Sequence, residues 1–224
     1  MRSFLSILLL TMPLAVAKDE PQAVTRLNDA TEVFSDIMKT PDRGIPQDLL
    51  EKASCVVIVP GLKKGAFVVG GEYGKGFITC RSGRAWSAPG AVRVEGGSVG
   101  FQIGGSETDV VMLVMNKRGA DRLLSSKFTL GGEGEVAAGP VGRTSSAQTD
   151  AKMSAEILSW SRSRGAFAGL SLQGATLRED KKTNEELYGR SLTNQEIVRG
   201  NAVSTPPAAE RLLSALSAYP EKSE

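Results

Sequence analysis

The sequence predicts an α+β fold, one domain in which helices from the N- and C-terminal segments pack on a curled, barrel-like antiparallel sheet. Three observations lead there. Helical periodicity is confined to the two ends of the chain. The middle is a run of short apolar segments bounded by Gly, Pro and Ser. The connections between those segments are too short to hold crossover helices, which argues against a doubly wound sheet.

The first helix is expected over residues 20–39, where Ala23, Leu27, Ala30, Phe34 and Ile37 recur at helical spacing against a polar face. "TPDRG" ends it, and Pro46 opens a second, short helix in "PQDLLEKA". "CVVIVP" is continuously apolar and β-branched, as in a strand buried on both faces. "GAFVVGGEYG", "KGFITCR", "AWSAPGAVRVEGG" and "SVGFQIGGSETDVVMLVMN" follow as further strands of an antiparallel meander. Residues 117–128 suit a short helix, and "TLGGEGEVAAGPVGR" a strand pair or wide loop. "AEILSWSRSRG" and "AFAGLSLQGATLRED" read as a hairpin, with Ile157, Ser159, Ser161 and Ser163 alternating with Leu158, Trp160, Arg162 and Arg164. Three helical segments close the chain. Thr193 with Glu196 makes a capping box for one, and Thr205 with Pro206 and Pro207 starts the last.

The N-terminus has the pattern of an export signal: Arg2, the apolar "FLSILLLTMPLAV", and the small-x-small site Ala15-Val16-Ala17. The expected organisation is therefore a signal peptide over 1–17 and a single domain over 18–224, its core about 23–217, acting in the periplasm or outside the cell. In an exported chain two cysteines, Cys55 and Cys80, are either a disulfide or two buried thiols.

Several chemistries are set aside. The chain contains no histidine, which removes Ser-His-Asp and Cys-His catalysis and His-ligated zinc. A net charge of +2 is too small for a nucleic-acid binder. The dense glycines Gly70, Gly71, Gly74 and Gly76, with Gly104 and Gly105, match neither phosphate-loop pattern. Gly74-Lys75 lacks the first Walker glycine, Val69 standing there, and Gly74-Lys75-Gly76 is not followed by the third glycine of the dinucleotide fingerprint. They are expected to supply turns, bulges and close strand approach, with Gly71 and Gly74 at positive φ. "GGSVG" fits G-x-S-x-G around Ser98, without the following helix or the histidine that a nucleophile elbow needs. The acids Glu72, Glu95, Glu107, Asp109, Glu133 and Glu135 form no clear catalytic pair, and Glu107-x-Asp109 shares one strand face as a weak metal-site candidate. Basic residues fall between strands: Lys63, Lys64, Arg81, Arg84, Arg162 and Arg164. They are either a cationic rim for anionic lipid head groups or ordinary solubility charge.

With those motifs set out, the chain resembles the SYLF domain family. "CVVIVPGLKKGAFVVGGEYGKGFITCR", "GGSVGFQIGGSETDVVMLVMN", "AEILSWSRSRGAFAGLSLQGATL" and "NEELYGRSLTNQEIVRG" carry the resemblance, in order. It implies a domain with no catalytic activity and no cofactor. Eukaryotic members bind phosphoinositide membranes and actin, often beside a Src-homology-3 or FYVE module; bacterial members are exported lipid binders. It further implies membrane contact through an amphipathic N-terminal helix and a basic surface. The expectation is a non-catalytic protein of the bacterial cell envelope binding anionic, phosphatidylinositol-type lipid. The alternative is a structural or adhesive envelope protein binding a protein partner. No small-molecule substrate is evident.

Overall fold

The computed structural model describes residues 20–40, 44–67, 69–99, 104–125, 127–133, 135–140, 155–163, 166–167, 172, 174–200 and 202–220. Helix α1 (Gln22–Lys39) and the short α2 (Gln47–Lys52) lead into two long strands, β1 (Cys55–Phe67) and β2 (Val69–Ser82). Then come β3 (Ala85–Trp86), β4 (Gly90–Val99) and β5 (Gly104–Val114), helix α3 (Lys117–Leu123), and β6 (Lys127–Thr129) and β7 (Val136–Ala138). β8 (Ile157–Ser163), β9 (Ala166–Phe167) and β10 (Thr176–Glu179) complete the sheet. Helices α4 (Lys181–Tyr188) and α5 (Asn194–Val198) follow, and a 3-10 turn (Pro207–Ala209) runs into α6 (Glu210–Ser217).

The sheet order is β6-β10-β4-β2-β1-β5-β8-β7, with β3 on β2 and β9 on β8. The fold class is as the sequence predicts, α+β with a strongly curled half-barrel sheet. The topology is no simple meander, because β10 returns across the molecule to pair with β4 and β6. The short β7 lies parallel to β8, the exception to the antiparallel pattern among the described residues.

Both faces of the sheet are buried, which explains the unbroken apolar run of β1. Cys55, Val57 and Val59 enter one core with Val92, Val94, Phe128 and Leu177 from one flank and Val110, Met112 and Ile157 from the other. Residues from both flanks meet in that core because the sheet wraps around it. Val56 and Ile58 enter a second core with Leu27, Phe34 and Ile37 of α1, Leu49 and Leu50 of α2, and Leu212 and Leu216 of α6. Phe34 meets Tyr219 edge to face at 6.2 Å.

The "VPGLKKG" stretch holds no turn. It forms a bulge inside β1, where pairing with β2 shifts between Ile58 and Lys63. Gly61 sits there at φ +56°, its N–H donated to Asp109 Oδ1 at 3.0 Å. The expected positive φ at Gly71 and Gly74 is not found; those residues are extended. Gly74 and Gly76 serve close approach instead. A Cβ on Gly76 would stand 1.9 Å from the Ile58 carbonyl oxygen, and one on Gly74 2.7 Å from Leu62. Residues 127 and 128 also depart from expectation, since α3 ends at Leu123 and they belong to β6.

Candidate functional site

The basic residues singled out in the sequence are not gathered by the fold. Lys63 is exposed towards the β1–β2 hairpin end, opposite Tyr73 in register. Lys64 is paired with Glu72 at 2.7 Å. Arg81 lies roughly 30 Å from Glu72 along β2, at ~3.3 Å of rise per residue. Its role is internal. It donates to the carbonyls of Leu50, Ala53 and Tyr219, tying the ends of α2 and α6 to the sheet, and its guanidinium stacks 4.4 Å over the Trp86 ring. Arg84 is exposed in the β2–β3 turn. Arg164 lies outside the described residues. Gly104 and Gly105 pair with Ala66 and Gly65 at the start of β5, and Gly70 pairs with Ala66 and Ser98. Ser98 stands inside β4, so it has the wrong setting for a nucleophile elbow.

Arg162 is the centre of a charged cleft of about 330 Å³ between α1, the β1 bulge, β5 and β8. Its guanidinium bonds Asp36 of α1 at 2.9 Å and Asp109 of β5 at 3.0 Å. The hydrogen bond to Asp36 leads in raising its pKa; partial burial opposes this and Asp109 adds to it. Among the described residues Asp29, Glu32, Asp36, Glu107 and Asp109 line the cleft around this one cation, so five carboxylates dominate its field. Glu107 and Asp109 do share a strand face, and Glu107 reaches back over Gly61, where a Cβ would lie 2.6 Å from its carboxylate. Among the described residues no three side chains converge in a metal-holding geometry.

Of the other acids, Glu95 and Glu133 are tied up locally. Glu95 lies 2.8 Å from Arg93 and 3.4 Å from Arg178. Glu133 accepts the Thr129 N–H and closes the outer edge of β6. Glu135 is exposed.

Helix α1 is not a free amphipathic element. Leu27, Ala30, Phe34 and Ile37 are all within 1% of full burial, and Asp29, Glu32 and Asp36 face the cleft. The apolar side that a membrane would take is spent on the core.

A buried polar network organises the C-terminal segment "NEELYGRSLTNQEIV". Asn184, fully buried, accepts the Ala91 N–H at 2.7 Å and donates to the Leu192 carbonyl and to Asn194 Oδ1. Asn194 donates to the Ala91 carbonyl at 2.9 Å. The two amides thus complete the edge of β4 at Ala91, just past the last pair of β4 with β10. The Tyr188 hydroxyl donates to the Pro89 carbonyl, and burial pushes its pKa up. The Thr193–Glu196 capping box forms as the sequence predicts.

Residues 95–219 match the family model "Ysc84: Las17-binding protein actin regulator". The chain belongs to the Ysc84, or SYLF, family. It is 33% identical over 216 residues to the SH3 domain-containing YSC84-like protein 1 of Rattus norvegicus, covering 95% of this chain and 62% of that protein, with the same figures for the human protein. It is 36% identical over 180 residues to Protein YSC84 of Saccharomyces cerevisiae, covering 78% of this chain and 38% of the yeast protein. The chain thus spans less than two thirds of these Ysc84 relatives.

The sequence reading missed Asn184, Asn194, Tyr73 and the Asp36–Arg162–Asp109 clasp. Buried asparagines look like any polar helix residue in a single sequence, and the clasp joins residues 126 positions apart.

Proposed function

We propose that this Ysc84-family chain is a non-catalytic binding domain, exported from the cytoplasm, that contacts anionic lipid at the end of its sheet. The supporting observation is the pair Lys63 and Tyr73. They stand opposite each other on β1 and β2, and Tyr73, at 47% exposure, is the exposed large hydrophobic side chain among the described residues. An amphipathic ring beside a lysine suits a lipid head-group layer, where the ring takes the boundary and the ammonium meets phosphate. Co-sedimentation with phosphatidylcholine vesicles, with and without phosphatidylglycerol, tests it. Binding is expected to need the anionic lipid and to fall in Lys63→Glu and Tyr73→Ala. Equal binding by both variants and the parent would reject it. Lys64 is the wrong residue to reverse, because Glu72 at 2.7 Å would then face a second carboxylate. Export predicts a mature N-terminus at Lys18, readable by intact-mass measurement.

A second reading is favoured by the acidic cleft. Five carboxylates around one arginine complement a basic segment of a protein partner, and the family description names Las17 binding and actin regulation. Lysine-rich peptides titrated against the protein should bind in a salt-sensitive way and weaken in Asp29→Asn with Glu32→Gln. Lack of saturable binding at low salt would remove this reading.

A further inference from the structure

The outer face of the sheet carries a row of cations that neither the core nor the acidic cleft uses. Val92 and Val94 of β4, Leu177 of β10 and Phe128 of β6 enter the enclosed core. Side chains alternate along a strand, so Arg93, Arg178 and Lys127 stand on the opposite face. Lys75 joins them there, two residues before Phe77, which packs under the helices.

The four lie on one register line. Lys127 of β6 is opposite Arg178 of β10, Arg178 is opposite Arg93 of β4, and Arg93 is opposite Lys75 of β2. Like charges therefore face each other on neighbouring strands about 4.8 Å apart. Such pairs destabilise a sheet. The strands themselves do not require them. The next outward line of β6 and β10 is filled by a neutral pair, Thr129 opposite Thr176.

Local acids answer only part of this charge. Lys75 is paired with the buried Asp180 at 2.7 Å. Glu95 serves two arginines, 2.8 Å from Arg93 Nε and 3.4 Å from Arg178 Nε. Both Nε atoms are buried, and neither N–H has a hydrogen-bond acceptor among the described residues. Lys127 is exposed, and no described acid pairs with its ammonium. Four cations against two carboxylates leave an excess of two positive charges on the line.

The excess is concentrated at one place. Lys127, Arg178 and Arg93 occupy consecutive strands, so they span about 10 Å. Three long side chains can close on a single group across that width. Arg93 and Arg178 keep 35% and 40% of their side chains exposed, so a ligand can reach them. Guanidinium forks match phosphate oxygens two at a time. A phosphate monoester carries about −1.5 to −2 charges at pH 7, which answers the uncompensated charge.

We propose that Arg93, Arg178 and Lys127 form a binding site for a phosphate monoester, with Glu95 competing for the two arginines. Lys75, held by Asp180, closes the inner end of the row. The site stands apart from the lipid contact at Lys63 and Tyr73 and does not rest on it. A soluble phosphate ester and a phosphomonoester lipid head group present the same chemistry to it.

Calorimetric titration with sn-glycerol 3-phosphate, at an ionic strength held constant with chloride, tests the site. Saturable binding is expected, with a melting temperature raised by the ester and not by chloride. Arg93→Gln and Arg178→Gln are each expected to weaken binding about tenfold, and Lys127→Gln about threefold. Glu95→Gln is expected to tighten binding, because it releases both arginines; a merely structural row would not show this. Should an arginine variant unfold, Lys127→Gln decides, since that side chain is exposed and pairs with no described acid. Vesicles separate the two sources. Phosphatidylcholine carrying phosphatidic acid, a monoester, is compared with phosphatidylcholine carrying phosphatidylglycerol, a diester, at equal surface charge. A preference for phosphatidic acid that survives Lys63→Glu and is lost in Lys127→Gln assigns the monoester to lipid. Binding of the soluble ester with no preference between vesicles assigns it to a soluble ligand. Binding of neither monoester, or binding that Lys127→Gln and Glu95→Gln leave unchanged, overturns the site and leaves the reading at Lys63 and Tyr73 standing.

Discussion

Cys55 and Cys80 stand directly opposite each other at the base of β1 and β2, joined by a disulfide with their Cα atoms 3.9 Å apart. The bond pins the register of the two central strands at the end opposite the β1–β2 hairpin. Both sulfurs lie in the core that the curled sheet encloses.

Unfolded, unreduced protein should therefore yield no free thiol. Closing a loop with a separation of 25 residues stabilises the chain by about 3 kcal/mol on the loop-entropy estimate. Denaturant melts with and without reductant measure it. Two titratable thiols in exported material would remove the bridge.

Gly71 and Gly76 should behave oppositely, although both sit in β2. Gly76→Ala drives a methyl into the Ile58 carbonyl and is expected to cost about 3 kcal/mol, at the upper end for overpacking. Gly71→Ala has open space and should stay within about 0.5 kcal/mol of the parent. Equal losses in urea midpoints would show that conformational freedom, and not close approach, selects glycine here.

Asn184→Ala should cost about 2–3 kcal/mol, because it strands the buried Ala91 N–H and one amide hydrogen-bond acceptor of the network. The predicted signature in hydrogen exchange is local: the Ala91 amide should lose protection before its neighbours in β2. A uniform change across the sheet would contradict the edge-completing role.

Asp180 supplies the pH test. Burial pushes its carboxyl up, but Lys75 at 2.7 Å and two bonds from Thr183 outweigh this and hold it below the ordinary value. A depressed carboxylate contributes stability that is present above the unfolded pKa, about 3.9, and is lost as pH falls through the folded one. The parent should lose stability on descending below about pH 4, and Asp180→Asn should flatten that limb while being less stable at neutral pH. Parallel pH profiles for the two proteins would show that the pair does not carry the acid dependence.

The sequence by itself determined the α+β class, the helical ends, the buried first strand and the capping box at Thr193. Those follow from local periodicity and from side chains that bond within three or four residues of themselves. It also determined which chemistry lacked residues, through the absence of histidine. Only the tertiary structure decided the rest. The Pro60-Gly61-Leu62 stretch became a bulge and not a turn, with Asp109 on a neighbouring strand holding the Gly61 N–H. Residues 127–129 became a strand, because the edge of β10 was there to pair with them. Arg81 and Arg162, alike in sequence as loop-flanking cations, became a helix-end clamp and the centre of an acidic cleft. Each outcome depends on a partner far along the chain, and pairing across such distances is set by how the sheet closes on its core, which no local pattern encodes.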